Sequence, residues 1–449
     1  MPSPLPPALR DAVDRVGRAD IMVGIPSFRN AATIGHVARA AQAGLVQYFP
    51  DLRPVLVNAD AGSPDGTQRV VVETEPPDYV ERILLVRPRN RLERISLTYP
   101  EVDGVAGKGA ALRTVFQIAH ALRVQALVVV DSDLRSILPE WIELLAGPVL
   151  KGGFDFVAPL YARHRNDGTI TNTVTYPLTR ALYGLRIRQP IGGDFGVSSD
   201  LIDHYLQRDD WTSDVSRFGI DIWMTTTAVA GGFAVCQARL GAKVHDPKDP
   251  GADLGPMFSQ VLSTILELTE RHANRWLTVH GSHDVPAYGF ERLVEPPPLE
   301  VDIVRLLEEF HRGRLAQGEQ WDLMLAPETA ALVCELATDA GSAAQGAARA
   351  DAPRTLQAGM FGFPDITWAH AVYDVCVAAH RRVLPVDRLV AALVPLYFGR
   401  VASLLLEVDE LRGEQAEAVV ERQARAFELA KPYLVTRWQD AAAAPEPLE

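Results

Sequence analysis

The sequence predicts an α/β fold, in which a mostly parallel sheet is covered by helices and followed by a helical C-terminal region. Three observations carry this. Short β-rich apolar runs recur through the first half, at IMVGI (21–25), VLVNA (55–59), RILLV (82–86), ALVVV (126–130) and FDFVA (154–158). Between them lie stretches such as AATIGHVARAAQAGL and GKGAALRTVFQIAHAL, whose apolar residues recur at three and four positions, the helical period. Beyond the proline-rich linker VEPPPLE (294–300), nearly every segment scans as helix.

Continuous apolar strands separated by helices fit a sheet buried on both faces. In such sheets ligands gather at the carboxyl ends of the strands. The loops after residues 25, 59 and 130 therefore attract notice first. From about residue 160 the pattern changes. An irregular stretch (159–175) precedes the glycine-rich segment QPIGGDFGVSS (189–199) and the helix-like run GIDIWMTTTAVAGG (219–232). FAVCQARLG (233–241) reads as a further strand, and 257–278 as a helix. The tail offers helices at 301–313, 326–338, 366–382, 386–408 and 413–431, with the Ala/Gly-rich GSAAQGAARADAP (341–353) read as a loop. The expected organisation is an extension over 1–20, an α/β domain over 21–280 and a helical domain over 281–449.

Composition narrows the class. The 449 residues are 47% hydrophobic and 22% charged, which suits a globular protein with a sizeable core. With 44 basic against 57 acidic residues the net charge is −13, which excludes a general affinity for nucleic acid. Three cysteines, Cys236, Cys334 and Cys376, lie far apart without metal or redox spacing and read as buried thiols of a reducing compartment. The N-terminus shows no secretory pattern. The longest uncharged apolar stretch, Leu389 to Gly399, falls short of the roughly 20 residues a membrane span needs. The expectation is a cytoplasmic protein without a membrane span.

Three motifs carry chemistry. In VVVDSDLRS (128–136) a buried strand ends in Asp131 and Asp133, one residue apart. Residues i and i+2 of an extended segment point the same way, so both carboxylates can converge on one ligand. Two hard oxygen donors suit Mg²⁺ or Mn²⁺, ions that commonly bridge to substrate phosphates. The competing role is a helix cap ahead of Pro139, but capping there would use Ser136. In NADAGSPDGT (58–67), Asp60 stands at a strand tip before a tight turn, where it could meet a base or a ribose, or simply form the turn. In GKGAALRTV (107–115), Lys108 lies between two glycines at a helix start, a place that favours phosphate. GxxxxGK[ST] is absent, and GIPSFRN after the first strand is neither GxGxxG nor a GxGTR-type loop, which disfavours a P-loop protein, a dinucleotide oxidoreductase and a sugar nucleotidyltransferase.

Taken together, GIPSFRNAATI (24–34), NADAGSPDGT, GKGAALRTV and DSD, in this order, resemble nucleotide-sugar glycosyltransferases of the GT-A fold. RHRNDGTITNTVTYPLTRALYG, QPIGGDFGVSSDLI, FGIDIWMTTTAVAGG and KVHDP narrow the resemblance to the retaining mannosylglycerate, glucosyl-3-phosphoglycerate and glucosylglycerate synthases. The likeness covers roughly residues 20–280 and, more loosely, the helical tail. It implies a metal-dependent transfer of glucose or mannose from a UDP- or GDP-sugar to a small anionic acceptor such as glycerate or phosphoglycerate.

By position, the resemblance puts Pro26 and Arg29 by the base, Asp60 on the nucleoside, Lys108 near the nucleotide and Asp131 on the ribose or donor sugar. Asp133 and His245 would bind Mg²⁺ or Mn²⁺. Gly192, Gly193 and Asp194 would border the sugar, and Asp221 would lie near the reacting centre. Arg163 and Arg165, flanking His164, offer cations to an anionic acceptor. One departure stands out: the mannosylglycerate enzymes carry a tyrosine three residues after the metal histidine, where this chain has Lys248. The tail's apolar faces would suit a homodimer. The competing class is a non-catalytic nucleotide-sugar-binding protein.

Overall fold

The computed structural model describes residues 7–75, 92–98, 107–212, 214–245, 254–291, 296–349 and 361–443. Two compact units emerge, interleaved along the chain. The first is drawn from 1–163, 187–247 and 284–297, the second from 164–186, 248–283 and 298–449.

The first unit is built on eight strands: β1 (Ile21–Ser27), β2 (Pro54–Asp60), β3 (Glu93–Thr98), β4 (Ala126–Val129), β5 (Phe156–Ala162), β6 (Phe195–Ser198), β7 (Val235–Ala242) and β8 (Ala287–Tyr288). Their spatial order is β8-β7-β5-β6-β4-β1-β2-β3. Every pairing is parallel except those of β6, which runs antiparallel between β4 and β5. β1, β2 and β4 are buried along their whole length, which is why they read as unbroken apolar runs. On one face, Ile21, Val23 and Ile25 pack with Val37, Ala41, Trp141 and Ile142 of the covering helices.

The antiparallel β6 matters for function. Its first residue, Phe195, pairs with Val129, the last residue of β4. The segment leading into β6 is thereby delivered to the carboxyl tip of β4. Three strands escape the sequence reading: β3, whose half-polar ERISLT is only partly buried, β6, four residues long with a glycine inside, and β8, only two residues long. The expected strand 82–86 lies outside the described residues.

Pro139 opens a helix (Pro139–Gly152), as its fixed φ suits a first turn. The expected Ser136 cap is not made: Leu138 holds the cap position with no side-chain bond, and Ser136 Oγ instead accepts from Val244 N at 2.9 Å. The irregular stretch expected at 159–175 also resolves otherwise, because β5 continues to Ala162 and a π-helical turn forms over Thr171–Thr175.

In the second unit, helices span Ile303–Met324, Pro327–Arg349, Asp365–His380, Val386–Val408 and Glu414–Ala443. The loop expected at 341–353 is helical up to Arg349, as its many alanines favour, and 350–353 lies outside the described residues. The π-turn has a cause: Gln423 Nε2 donates to Asn172 O at 2.5 Å and Trp368 Nε1 to Thr173 O at 2.7 Å, side-chain donors that intrude on the local ladder. The helix Val386–Val408 is long and apolar enough to cross a membrane, yet its most apolar window is 83% buried inside the protein. At its middle sits Arg400, fully buried, donating to Gln423 Oε1, Phe363 O, Ser403 Oγ, Glu407 Oε1 and Asp365 Oδ1.

Candidate active site

The first two loops of the sheet lock together. Asp60, at the tip of β2, has no exposed surface: it accepts from Ser27 Oγ at 2.8 Å and from Ser63 N and Oγ, each at 2.7 Å. It therefore pins the loop from within, and its oxygens do not face solvent. The backbone N–H groups of Arg29, Asn30 and Ala31 donate to Ser63 Oγ, Thr67 Oγ1 and Asp65 Oδ2. These bonds hold Arg29 at φ 58°, a left-handed conformation uncommon outside glycine. Pro26 lies inside β1, buried, while Arg29 is exposed with its guanidinium 5.1 Å from the Phe28 ring.

Next comes the tip of β4. Ser132 Oγ donates to Asn30 Oδ1 at 2.8 Å, and Thr33 Oγ1 donates to Ser132 O at 2.9 Å, so the DSD turn is tied to the first loop. On its other side Leu134 bridges to His245, and Arg135 N donates to Val244 O at 2.8 Å. This backbone pairing sets His245, half-buried, beside the turn that carries Asp133. A carboxylate and an imidazole are donor types that suit a divalent cation. Among the described residues no cluster of three or more His, Cys, Asp or Glu side chains that could hold a metal ion forms. Lys248, at the departure from the related enzymes, lies outside the described residues.

Asp131 turns the other way, into an ionic cluster. Lys108 Nζ lies 2.8 Å from Asp131 Oδ1 and 3.0 Å from Asp221 Oδ2. Lys243 Nζ lies 2.8 Å from Asp131 Oδ2, 3.0 Å from Asp194 Oδ2 and 2.7 Å from Gly192 O. Asp194 also accepts from Asp131 N at 2.8 Å and from the Tyr161 hydroxyl. Five charged side chains thus share one enclosed space, three carboxylates to two ammonium groups.

Their protonation follows from that balance. Burial alone would neutralise Lys108 and Lys243, but the facing carboxylates overcome it and hold both ammonium groups above the usual lysine range. Burial likewise opposes a charge on Asp131, yet Lys108 and Lys243 keep its carboxyl well below the ordinary range. For Asp194 and Asp221 burial wins, aided by the negative charge of Asp131, and both pKa values rise.

The topology explains why these residues meet. Asp131 follows β4, Tyr161 lies one residue before the end of β5, Lys243 follows β7 and Asp194 precedes the reversed β6, all at the carboxyl-end side of the parallel strands. Lys108 and Asp221 each stand in the first turn of a helix, Lys108–Leu122 and Ile220–Ala230. Asp221 is not spent on its helix end: its Oδ2 takes Lys108, and its buried Oδ1 has no hydrogen-bond partner among the described residues. Gly193, at φ +88°, is required where it is, since a Cβ there would sit 2.1 Å from Asp131 Oδ2.

The GKG segment works differently from the phosphate-binding helix start expected of it. Gly109 N donates to Arg217 O at 3.2 Å and Ala110 N to Ser216 O at 2.9 Å. A Cβ on Gly109 would lie 1.8 Å from Val215 O. The glycines thus admit the protein's own 214–219 turn, and those helix-start donors are already used. That same turn leads directly into Asp221.

The basic run is divided. Arg163, in the first unit, sets its guanidinium 5.5 Å from the Tyr161 ring. Arg165, in the second unit, donates to Leu411 O at 3.5 Å and lies 3.8 Å from Asp409. Sequence reading missed Tyr161 and Lys243. The signal for Lys243 was its place two residues before His245 in a strand-leaving loop, and Tyr161 marked the end of an apolar strand.

No family model matches the chain. Over 270 residues it is 29% identical to a glucosyl-3-phosphoglycerate synthase from Mycolicibacterium paratuberculosis, covering 56% of this chain and 73% of that one. The chain is thus similar in sequence to glucosyl-3-phosphoglycerate synthases. A second glucosyl-3-phosphoglycerate synthase, from Petrotoga mobilis, is 23% identical over 264 residues, covering 56% of this chain and 74% of the relative. Among solved structures, a glucosyl-3-phosphoglycerate synthase from Mycobacterium tuberculosis with Mn²⁺, UDP-glucose and phosphoglyceric acid is 25% identical, with a TM-score of 0.42. That match covers 60% of this chain and 86% of the other. In this chain, the reversed β6 is what joins Asp194 to the DSD turn of β4.

Proposed function

We propose that this glycosyltransferase moves glucose from UDP-glucose to 3-phosphoglycerate with retention of anomeric configuration. The observation that carries the reading is the division of labour at the DSD turn: the turn that carries Asp133 pairs through Leu134 with His245, while Asp131 enters the lysine–carboxylate cluster. The kinship with two glucosyl-3-phosphoglycerate synthases supports the choice of donor and acceptor.

Asp133 and His245 would hold Mg²⁺ or Mn²⁺, which when bound supplies Lewis-acid neutralisation of the leaving diphosphate. The chain's own residues do the rest. Lys108 and Lys243 fix Asp131, whose carboxylate retains lone pairs for the hydroxyls of the donor. The unpartnered Oδ1 of Asp221 accepts a substrate hydroxyl and stabilises positive charge developing at the anomeric carbon. Asp194 is fully buried, so it acts on Asp131 rather than on substrate. Front-face attack assisted by the leaving phosphate fits a site whose carboxylates are engaged with lysines. Arg163, in the first unit, is the residue we assign to the acceptor's phosphate.

The test is direct. Incubation with UDP-glucose and 3-phosphoglycerate, with and without Mn²⁺, should give an α-linked product by NMR only with the ion. A β-linked product would sink the retaining assignment. Absence of turnover with UDP-glucose, GDP-glucose and GDP-mannose, alongside intact nucleotide binding, would favour a non-catalytic binding protein.

A further inference from the structure

The strands β5 and β7 pair in register from Phe156 to Leu160, and then slip. Leu160 faces Arg239, but Tyr161 faces Gly241, so Leu240 is an extra residue on one side. Bulges are rare between parallel strands, and beside active sites they re-aim a side chain. Here the slip falls at the residue whose side chain enters the ionic cluster, and the bulged strand then delivers Lys243.

The ring of Tyr161 is held on several sides. Trp141 packs against it at 5.5 Å, Lys243 Nζ lies 5.1 Å from its centre and the Arg163 guanidinium 5.5 Å. Its hydroxyl donates to Asp194, whose other oxygen takes the N–H of Asp131. Asp194 reaches no solvent, so whatever it does for the reaction passes through its partners.

We propose that Tyr161 is a positioning residue for sugar transfer: its hydroxyl fixes Asp194, and through Asp194 and Lys243 it sets the carboxylate of Asp131 toward the donor. This rests on the glycosyltransferase reading above. Removing the hydroxyl leaves the ring and its packing but strips a donor from a buried carboxylate. Lys243 then turns further toward Asp194 and loosens its hold on Asp131.

The test is a double-mutant cycle on the full-length protein, reading UDP-glucose affinity with Mn²⁺ by calorimetry. Tyr161→Phe should weaken binding about tenfold in the wild-type background and not further in an Asp131→Asn background. Equal weakening in both backgrounds, or none in the first, overturns the inference. Asp194→Asn, in place of Tyr161→Phe, should show the same coupling and serves if the phenylalanine variant fails to fold. A wild type that turns over UDP-glucose while both cycles are additive overturns this inference alone. A wild type that neither binds nor turns over UDP-glucose overturns the function and this inference with it.

Discussion

Lys108 and Asp221 are 113 residues apart in the chain, and the ammonium of one lies 3.0 Å from the carboxylate of the other. The turn 214–219 seats on the helix that begins at Lys108 and runs straight into Asp221, so one backbone contact delivers both partners. The pair is a built feature of the site, and its disruption has separable effects on rate and on pH dependence.

Asp221→Asn should lower kcat by about 100-fold while changing the KM for UDP-glucose little, since the lost charge acts mainly on the transition state. Burial raises the wild-type pKa of Asp221, so activity should fall as pH drops through that raised value. The asparagine variant should lack this acid limb. The folded chain takes that proton more readily than the unfolded chain, so this group's contribution to stability declines as pH rises through the folded pKa. Kinetics and urea unfolding across pH measure both effects, and an unchanged acid limb in the variant would exclude Asp221 as its source.

Far from the site, Asp20 accepts two side-chain bonds from Arg53, at 2.9 and 2.8 Å, and its pKa falls from 3.8 to about 2. A depressed carboxylate contributes stability that is present above the unfolded pKa and lost as pH falls from 3.8 toward about 2. Arg53→Met should therefore flatten the acid dependence of unfolding in that window. Circular dichroism during acid titration is the measurement.

Gly193→Ala places a methyl 2.1 Å from Asp131 Oδ2 in a left-handed backbone position. The conformational strain costs about 1–2 kcal/mol of stability. Activity should drop far more than the fold is weakened, because the displaced group is Asp131. A variant with near-normal kcat and a lowered melting temperature would contradict this.

Asp133→Asn and His245→Ala should each raise the Mn²⁺ concentration needed for half-maximal UDP binding by at least about 10-fold. Asp194→Asn should leave that requirement close to wild type. Metal titrations followed by calorimetry separate the two classes of carboxylate.

Arg400→Met should lower stability by about 3–5 kcal/mol, because Asp365 and Glu407 lose a buried cation. Thermal unfolding reads this directly. Nucleotide affinity per folded molecule should stay unchanged.

Much of this was visible in the sequence because its signals are local. The buried runs of β1, β2 and β4 and the alanine-rich helices declare themselves by periodicity, and DSD sits where a central strand ends. What was not visible depends on contacts across the chain. Strand β6 is too short to announce itself, and only its antiparallel placement brings Asp194 under Asp131. Lys243 looks like any loop lysine until β7 is set beside β5. The GKG glycines suggest an anion site, and only the 214–219 turn shows that their space is filled by the protein itself.

The buried helix Val386–Val408 bears on how the chain reaches its folded state. Outside the folded unit it is a long oily segment with a single arginine, Arg400, beyond its first turn, a surface that invites self-association. Its arginine finds Gln423 only once the final helix has docked, and Gln423 also anchors the π-turn. Folding of the second unit thus depends on a late-synthesised segment. Variants that weaken the docking of Glu414–Ala443 should surface as poor solubility before they surface as poor catalysis.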